Sequence, residues 1–167
     1  MAGKDSTPVT RMMGAWRVLQ TLPAGKWLFS RLLGRFAPYS GSIGANIIRL
    51  EPGYALLALR DRRRVRNHLR SIHAIALANL GELTSGLAVM GALPDGIRGI
   101  ITGLSMEFLK KARGQLLAES RCDPPSIPDG SDDVTYEVVT EIRDSQEDIV
   151  ARARVMWRLG IDPGTRK

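Results

Sequence analysis

The sequence is poor in cysteine, in aromatic residues and in long apolar runs, and each shortage excludes something. Cys122 is the single cysteine in 167 residues, so one chain can form no internal disulfide. That fits a reducing compartment, and a cytoplasmic location is expected. No motif surrounds Cys122, which reads as an inert packing thiol, and no bound metal is expected. Aromatic residues make up 5% of the chain, with no stacking or groove-reading motif among them. A nucleic-acid-binding module is therefore disfavoured. No uninterrupted run of about 18 apolar residues occurs, so no membrane span is expected. The opening residues, "MAGKDSTPVTRMMGAWRVLQ", lack the apolar stretch and small-residue cleavage site of a secretory signal. There is no internal repeat.

What is present is enough for a core. With 44% hydrophobic and 25% charged residues the chain reads as one soluble domain with a short extension. Its net charge of +7 and pI near 10.2 favour an anionic partner: nucleic acid, an acidic membrane surface or a phosphorylated small molecule.

Residues 1–8 are polar and read as disordered. Residues 9–37 read as two short helices broken at Pro23 and Gly25, with apolar positions (Met13, Trp16, Trp27, Leu28, Leu32, Leu33, Phe36) interleaved with Arg11, Arg17, Lys26, Arg31 and Arg35. This N-terminal helical extension, residues 1–43, reads as a lid packed on the domain, with peripheral contact to a membrane surface as the alternative. "PYSGSIG" (38–44) reads as a loop. "ANIIRLE" and "YALLALRD" form a hairpin across Pro52-Gly53. A helix follows over about 71–92, stopped by Gly91 and Pro94. Four strand-like segments come next, and the last two alternate strictly: Ile149, Ala151, Ala153, Val155, Trp157 and Leu159 oppose Arg152, Arg154 and Arg158. Period-two alternation means one buried face and an antiparallel sheet. The order strand, strand, long helix, four strands gives an α+β domain over 44–160, with a tail at 161–167.

The helix is apolar or small nearly all round, so a sheet must curl round it or a second subunit must cover it. Yet the stretch "NHLRSIHAIALANLGE" (67–82) carries Asn67, His73 and Glu82. Nine residues along a helix is about 13 Å and half a turn of rotation. His73 and Glu82 therefore cannot meet on one helix, whereas two helices in a two-fold dimer can bring one subunit's Glu82 to the other's helix start.

These residues carry a resemblance. The element order is similar to the hotdog fold, in which a curved antiparallel sheet wraps a long central helix. The spacing Asn67, His73, Glu82 resembles the PaaI-like branch of hotdog acyl-CoA thioesterases, a branch with an Asn, a His-Gly-Gly six residues later, and an acid nine residues after the His. "LSMEFLKKARGQLLAES" resembles that branch's strand, basic turn and strand. Two departures stand out: Ala74-Ile75 replaces Gly-Gly, and Glu82 replaces the more usual Asp. The resemblance implies hydrolysis of an acyl-CoA or acyl-carrier thioester by carboxylate-activated water. Glu82 is then base or nucleophile, Asn67 and His73 catalytic partners, and the Ala74 N–H the oxyanion donor at the helix N-terminus, where the dipole favours negative charge. Thr102 adds a hydroxyl from the strand that carries Met106 and Phe108. Lys110, Lys111, Arg113 and Arg64 clamp the phosphates of coenzyme A, which enters as substrate and not as a bound cofactor. A homodimer or dimer of dimers is expected. The competing reading is a non-catalytic acyl-binding or regulatory hotdog domain.

Overall fold

The computed structural model describes residues 7–127 and 132–163. The disorder expected for the N-terminus falls outside the described residues except at Thr7 and Pro8, which open a helix. Helix α1 (Pro8–Leu19) starts there because the Thr7 hydroxyl accepts the Thr10 N–H at 3.2 Å and proline suits the first helical position. Helix α2 (Gly25–Phe36) follows a tight corner in which Ala24 adopts φ 58°. A side chain at Gly25 would place a Cβ 1.8 Å from the Leu19 carbonyl oxygen, so the corner needs glycine. The segment expected as a loop contains a further short helix, α3 (Pro38–Ser42). Its Ser and Gly content reads as a turn, but it is held by docking on the central helix, as described below.

Strands β1 (Asn46–Glu51) and β2 (Tyr54–Leu59) form the expected hairpin, and Gly53 supplies the positive φ of 74° in its turn. Helix α4 (Ala74–Ala92) leads to β3 (Ile97–Phe108), β4 (Leu116–Arg121), β5 (Val134–Arg143) and β6 (Ile149–Ile161). All six strands form one antiparallel sheet in the order β1-β2-β4-β5-β6-β3. β6 continues to Ile161 because Ile97 of β3 pairs with it.

The sheet curves round α4. Among the described residues α4 alone is, by length and mean hydropathy (19 residues, 1.3), apolar enough to cross a bilayer, a property the interrupting Asn79 and Glu82 hide in the sequence. Here it is the centre of the fold, with Leu80, Ala88 and Val89 fully buried. Its small residues let strands approach: a Cβ on Gly81 would lie 2.4 Å from that of Ala153, and the Thr140 hydroxyl donates to the Gly81 carbonyl at 3.0 Å. The alternation read in β6 is realised, with Ala151, Ala153, Val155 and Leu159 wholly buried and Trp157 nearly so. Each fully buried Leu, Ile or Val in this cluster contributes roughly 1.5–3 kcal/mol. The N-terminal helices join the same core through Met13, Trp16 and Phe29, the two rings meeting edge to face at 5.1 Å.

Candidate active site

The approach to α4 is a tightly bonded loop. The Asn67 backbone N–H donates to Ser71 O at 2.8 Å, while the Asn67 Oδ1 accepts from the N–H groups of Leu69 (2.9 Å) and Ser71 (3.2 Å) and from the Ser71 hydroxyl (3.2 Å). Arg70, at φ 55°, completes the turn. Asn67 therefore spends its oxygen on shaping the loop. Its amide Nδ2 finds no acceptor among the described residues. His73 is the N-cap of α4. Its Nδ1 accepts the Ile75 N–H at 3.1 Å, its own N–H donates to Val65 O at 2.7 Å, and its ring is exposed rather than buried. An imidazole thus does the capping usually done by Ser or Asp. The Ala74 N–H, also in the first turn, has no acceptor among the described residues, so an oriented donor points out of the helix end.

A cleft of about 360 Å³ opens at this end, lined by Asn67, Ser71, Ala74, Leu77, Phe108 and Lys111 among others. The turn after β3 forms one wall, tied to the helix start by the Ile72 N–H on Ala112 O at 2.8 Å. The fold therefore brings Asn67 and Ala74 together with the basic turn, while His73 caps the helix and does not line the cleft. Lys111 lines the cleft and is exposed; Arg113 and Arg64 are exposed too but do not line it. Lys110 departs from the expectation of a free phosphate clamp: its Nζ lies 2.8 Å from Asp144 Oδ2 and 2.6 Å from Asp148 Oδ2, which raise its pKa and make it a strap across the β5–β6 turn. Thr102 departs as well. It falls at a bulge between Ile101 and Gly103, and its hydroxyl donates to Met156 O at 3.3 Å. The extra residue interrupts the alternation that aligned it with Met106 and Phe108.

Glu82 sits elsewhere on α4, half-buried. Burial pushes its carboxyl above the usual range, and a hydrogen bond from Ser40 of α3 partly offsets the rise. One turn earlier Asn79, 8% exposed, donates through Nδ2 to Tyr39 O at 3.1 Å, while its Oδ1 is buried without a partner among the described residues. Ser40 and Asn79 escaped the sequence reading. Asn79 was visible at helical spacing from Glu82, but nothing in "PYSGS" marked Ser40. A second cleft, of about 310 Å³, lies beside them between α2, α3 and β1, reaching Arg31, Arg35 and Leu83. Within one chain the Glu82 region and the Ala74 cleft are separate, as the half-turn offset requires.

One further feature bears on the site. Leu104, Met106 and Phe108 pair with Val155, Ala153 and Ala151, and so share the sheet face that packs on α4. Yet Leu104 is 44% and Phe108 53% exposed. They lie on β3, an edge strand. Cys122 is packed rather than reactive: desolvation pushes its thiol up to about 11.

A family described as a domain of unknown function, DUF4442, matches residues 25–159. The chain is 32% identical to the genomics protein APC5556, covering 93% of this chain and 100% of that one with a TM-score of 0.76. It is 21% identical to a Pseudomonas aeruginosa protein of unknown function called a probable thioesterase, over 84% of this chain and 97% of the other, TM-score 0.70. It is also similar to a Streptococcus mutans protein solved with acetyl-CoA, at 20% identity over 71% and 90% of the two chains, TM-score 0.58. These likenesses establish the hotdog fold. Among curated proteins none matches.

Proposed function

The chain belongs to the DUF4442 family, and from there we propose that it is an acyl-CoA thioesterase working as a homodimer. The observation that carries this reading is Glu82: a half-buried carboxylate with a raised pKa on the central helix, nine residues beyond a helix start that presents an unbonded N–H to a cleft. Burying such a group is costly without a use. The exposed inner-face residues Leu104 and Phe108 on edge strand β3 support the dimer, because a second subunit would cover them and bring its own α4 alongside. Glu82 of one subunit then faces the Ala74 cleft of the other. The Streptococcus mutans relative with acetyl-CoA supports a coenzyme A thioester as substrate.

In this reading the Glu82 carboxylate takes a proton from water, and the resulting hydroxide attacks the thioester carbonyl carbon. The Ala74 N–H and the helix end stabilise the oxyanion. Collapse expels the coenzyme A thiolate, which takes the proton held by Glu82, and leaves the free acid with the carboxylate regenerated. Asn67 Nδ2 holds the carbonyl or water in this scheme, His73 holds the first turn in shape, and Lys111, Arg113 and Arg64 meet the phosphates. Replacing Glu82 by Gln should lower kcat by roughly 10²–10⁴, the range for a general base, with the oligomer intact and the fold no less stable than wild type. An acyl-CoA panel covering short, long and aryl chains measures this, and unchanged turnover removes Glu82 from the mechanism. A second reading rests on Ala74-Ile75, which puts side chains where the PaaI-like branch has glycines: a binder without turnover. Saturable acyl-CoA binding with no hydrolysis across the panel would favour it.

A further inference from the structure

Seven of the large hydrophobic side chains exposed among the described residues lie between Val18 and Tyr39: Val18, Leu22, Trp27, Leu28, Leu32, Phe36 and Tyr39. Such a concentration on so short a segment marks an interaction surface. On α2 they are ordered. Leu28, Leu32 and Phe36 recur every four residues and form one ridge; Trp27, Arg31 and Arg35 form the adjacent one, with the Arg31 guanidinium 5.3 Å from the Trp27 ring centroid. The opposite side of the same helices is anchored in the core by Trp16 and Phe29. The face is therefore firmly held and does not need to fold back to be covered.

The charge is of one sign. Between Thr7 and Leu50 the sequence has six basic residues (Arg11, Arg17, Lys26, Arg31, Arg35, Arg49) and no acidic one. The arginines of β6 are matched: Arg152 and Arg154 reach Glu107, Glu141 and Glu137, and Arg158 reaches Asp133; Arg49 likewise reaches Glu51. Arg31 and Arg35 have no acid partner among the described residues.

We propose that the outer face of α2, with the α1–α2 corner, docks on the surface of an anionic phospholipid bilayer. Leu28, Leu32 and Phe36 enter the acyl boundary, Trp27 and Tyr39 sit at the headgroup level, and Arg31 and Arg35 bind lipid phosphates while their stems run along the apolar ridge. A second copy of the chain fits less well, because two-fold pairing of α2 would set Arg31 and Arg35 against their own counterparts with no acid nearby. A nucleic acid would leave the Leu28–Phe36 ridge with nothing apolar to cover it. The inference is independent of the reaction at Glu82.

Trp27 supplies the readout, since Trp16 (1% exposed) and Trp157 (4%) are shielded. The full chain is mixed with phosphatidylcholine vesicles, with and without phosphatidylglycerol, and followed by tryptophan emission and co-sedimentation. Emission should shift to the blue, and protein should sediment, with the anionic vesicles. Leu32→Ser with Phe36→Ser should abolish both, leaving the melting curve and solution mass unchanged because these side chains are exposed. Arg31→Gln and Arg35→Gln should each weaken binding roughly fivefold. Absence of binding to anionic vesicles at low salt overturns the proposal, as does equal binding to neutral vesicles. A loss of solution mass in the Leu32→Ser, Phe36→Ser protein would seat a second copy on this face and also overturn it.

Discussion

At its N-terminal end α4 meets water and cations; nine residues on, it meets a buried wall. His73 is exposed and spends its Nδ1 on the Ile75 N–H, and the arginines and lysines nearby belong to solvent-facing turns. Glu82 is half-buried beside α3, with a serine hydroxyl for company and no cation bonded to it among the described residues. The first environment suits an arriving anion and a developing oxyanion, through oriented N–H groups and positive charge. The second suits a proton acceptor whose pKa is lifted by dehydration. Under the proposed reaction neither end is sufficient alone, and one helix cannot fold them together. A second subunit can.

That division of labour is most directly broken by mixing two inactive proteins. Glu82→Gln disables the basic end of one helix, and Asn67→Ala with Ala74→Pro disables the donor end of the other. Proline fits the first helical position but removes the N–H. Each variant alone should be almost inactive. Unfolded, mixed and refolded together, they should recover about a quarter of wild-type turnover, because random pairing makes half the dimers mixed and each mixed dimer carries one intact site. No recovery, with mixed dimers demonstrated by mass, would place both ends in one subunit's site and refute the comparison.

A smaller effect separates two adjacent lysines. Lys111→Ala should raise KM for acyl-CoA by roughly three- to tenfold with little change in kcat and no change in melting, as loss of one exposed phosphate contact implies. Lys110→Ala should leave KM nearly alone and instead lower the melting temperature slightly, since the Asp144–Lys110–Asp148 strap is solvent-screened. Steady-state kinetics beside thermal melts tell them apart, and the reverse pattern would mean that the strap opens to bind substrate.

These residues also show where a sequence can and cannot be read. Strands β5 and β6 were legible because one face of each is buried, so alternation in β6 records the core directly. The spacing of Asn67, His73 and Glu82 was legible because helix geometry is local. What stayed hidden depends on distant partners. Lys110 gave away its charge but not Asp144 and Asp148, more than thirty residues later. The bulge at Thr102 exists only relative to Met156 on β6. The helical form of α3 cannot be inferred from "PYSGS", because docking on Asn79 and Glu82 stabilises it more than its own weak propensity.

The finest distinction between the two ends lies in Ser40. Its hydroxyl favours the ionised form of Glu82, against the larger effect of burial. With Glu82 as base, the acid limb of the kcat profile should lie above the ordinary carboxylate range, since activity appears only as the carboxyl ionises. Ser40→Ala removes the opposing hydrogen bond, so the limb should move further towards alkaline pH. Turnover should fall roughly a few-fold below the limb and stay unchanged on the plateau above it. An Asn67→Ala variant should instead lower the plateau and leave the limb in place. The stability consequence has a definite sign. A carboxyl whose folded pKa is raised favours the fold below its unfolded value, and that advantage is lost as pH rises through the folded value. Glu82→Gln should therefore melt at the same temperature as wild type in acid and at a higher one in alkali. A variant that melts lower at alkaline pH would show that the ionised carboxylate holds the fold together, and that its burial serves structure rather than chemistry.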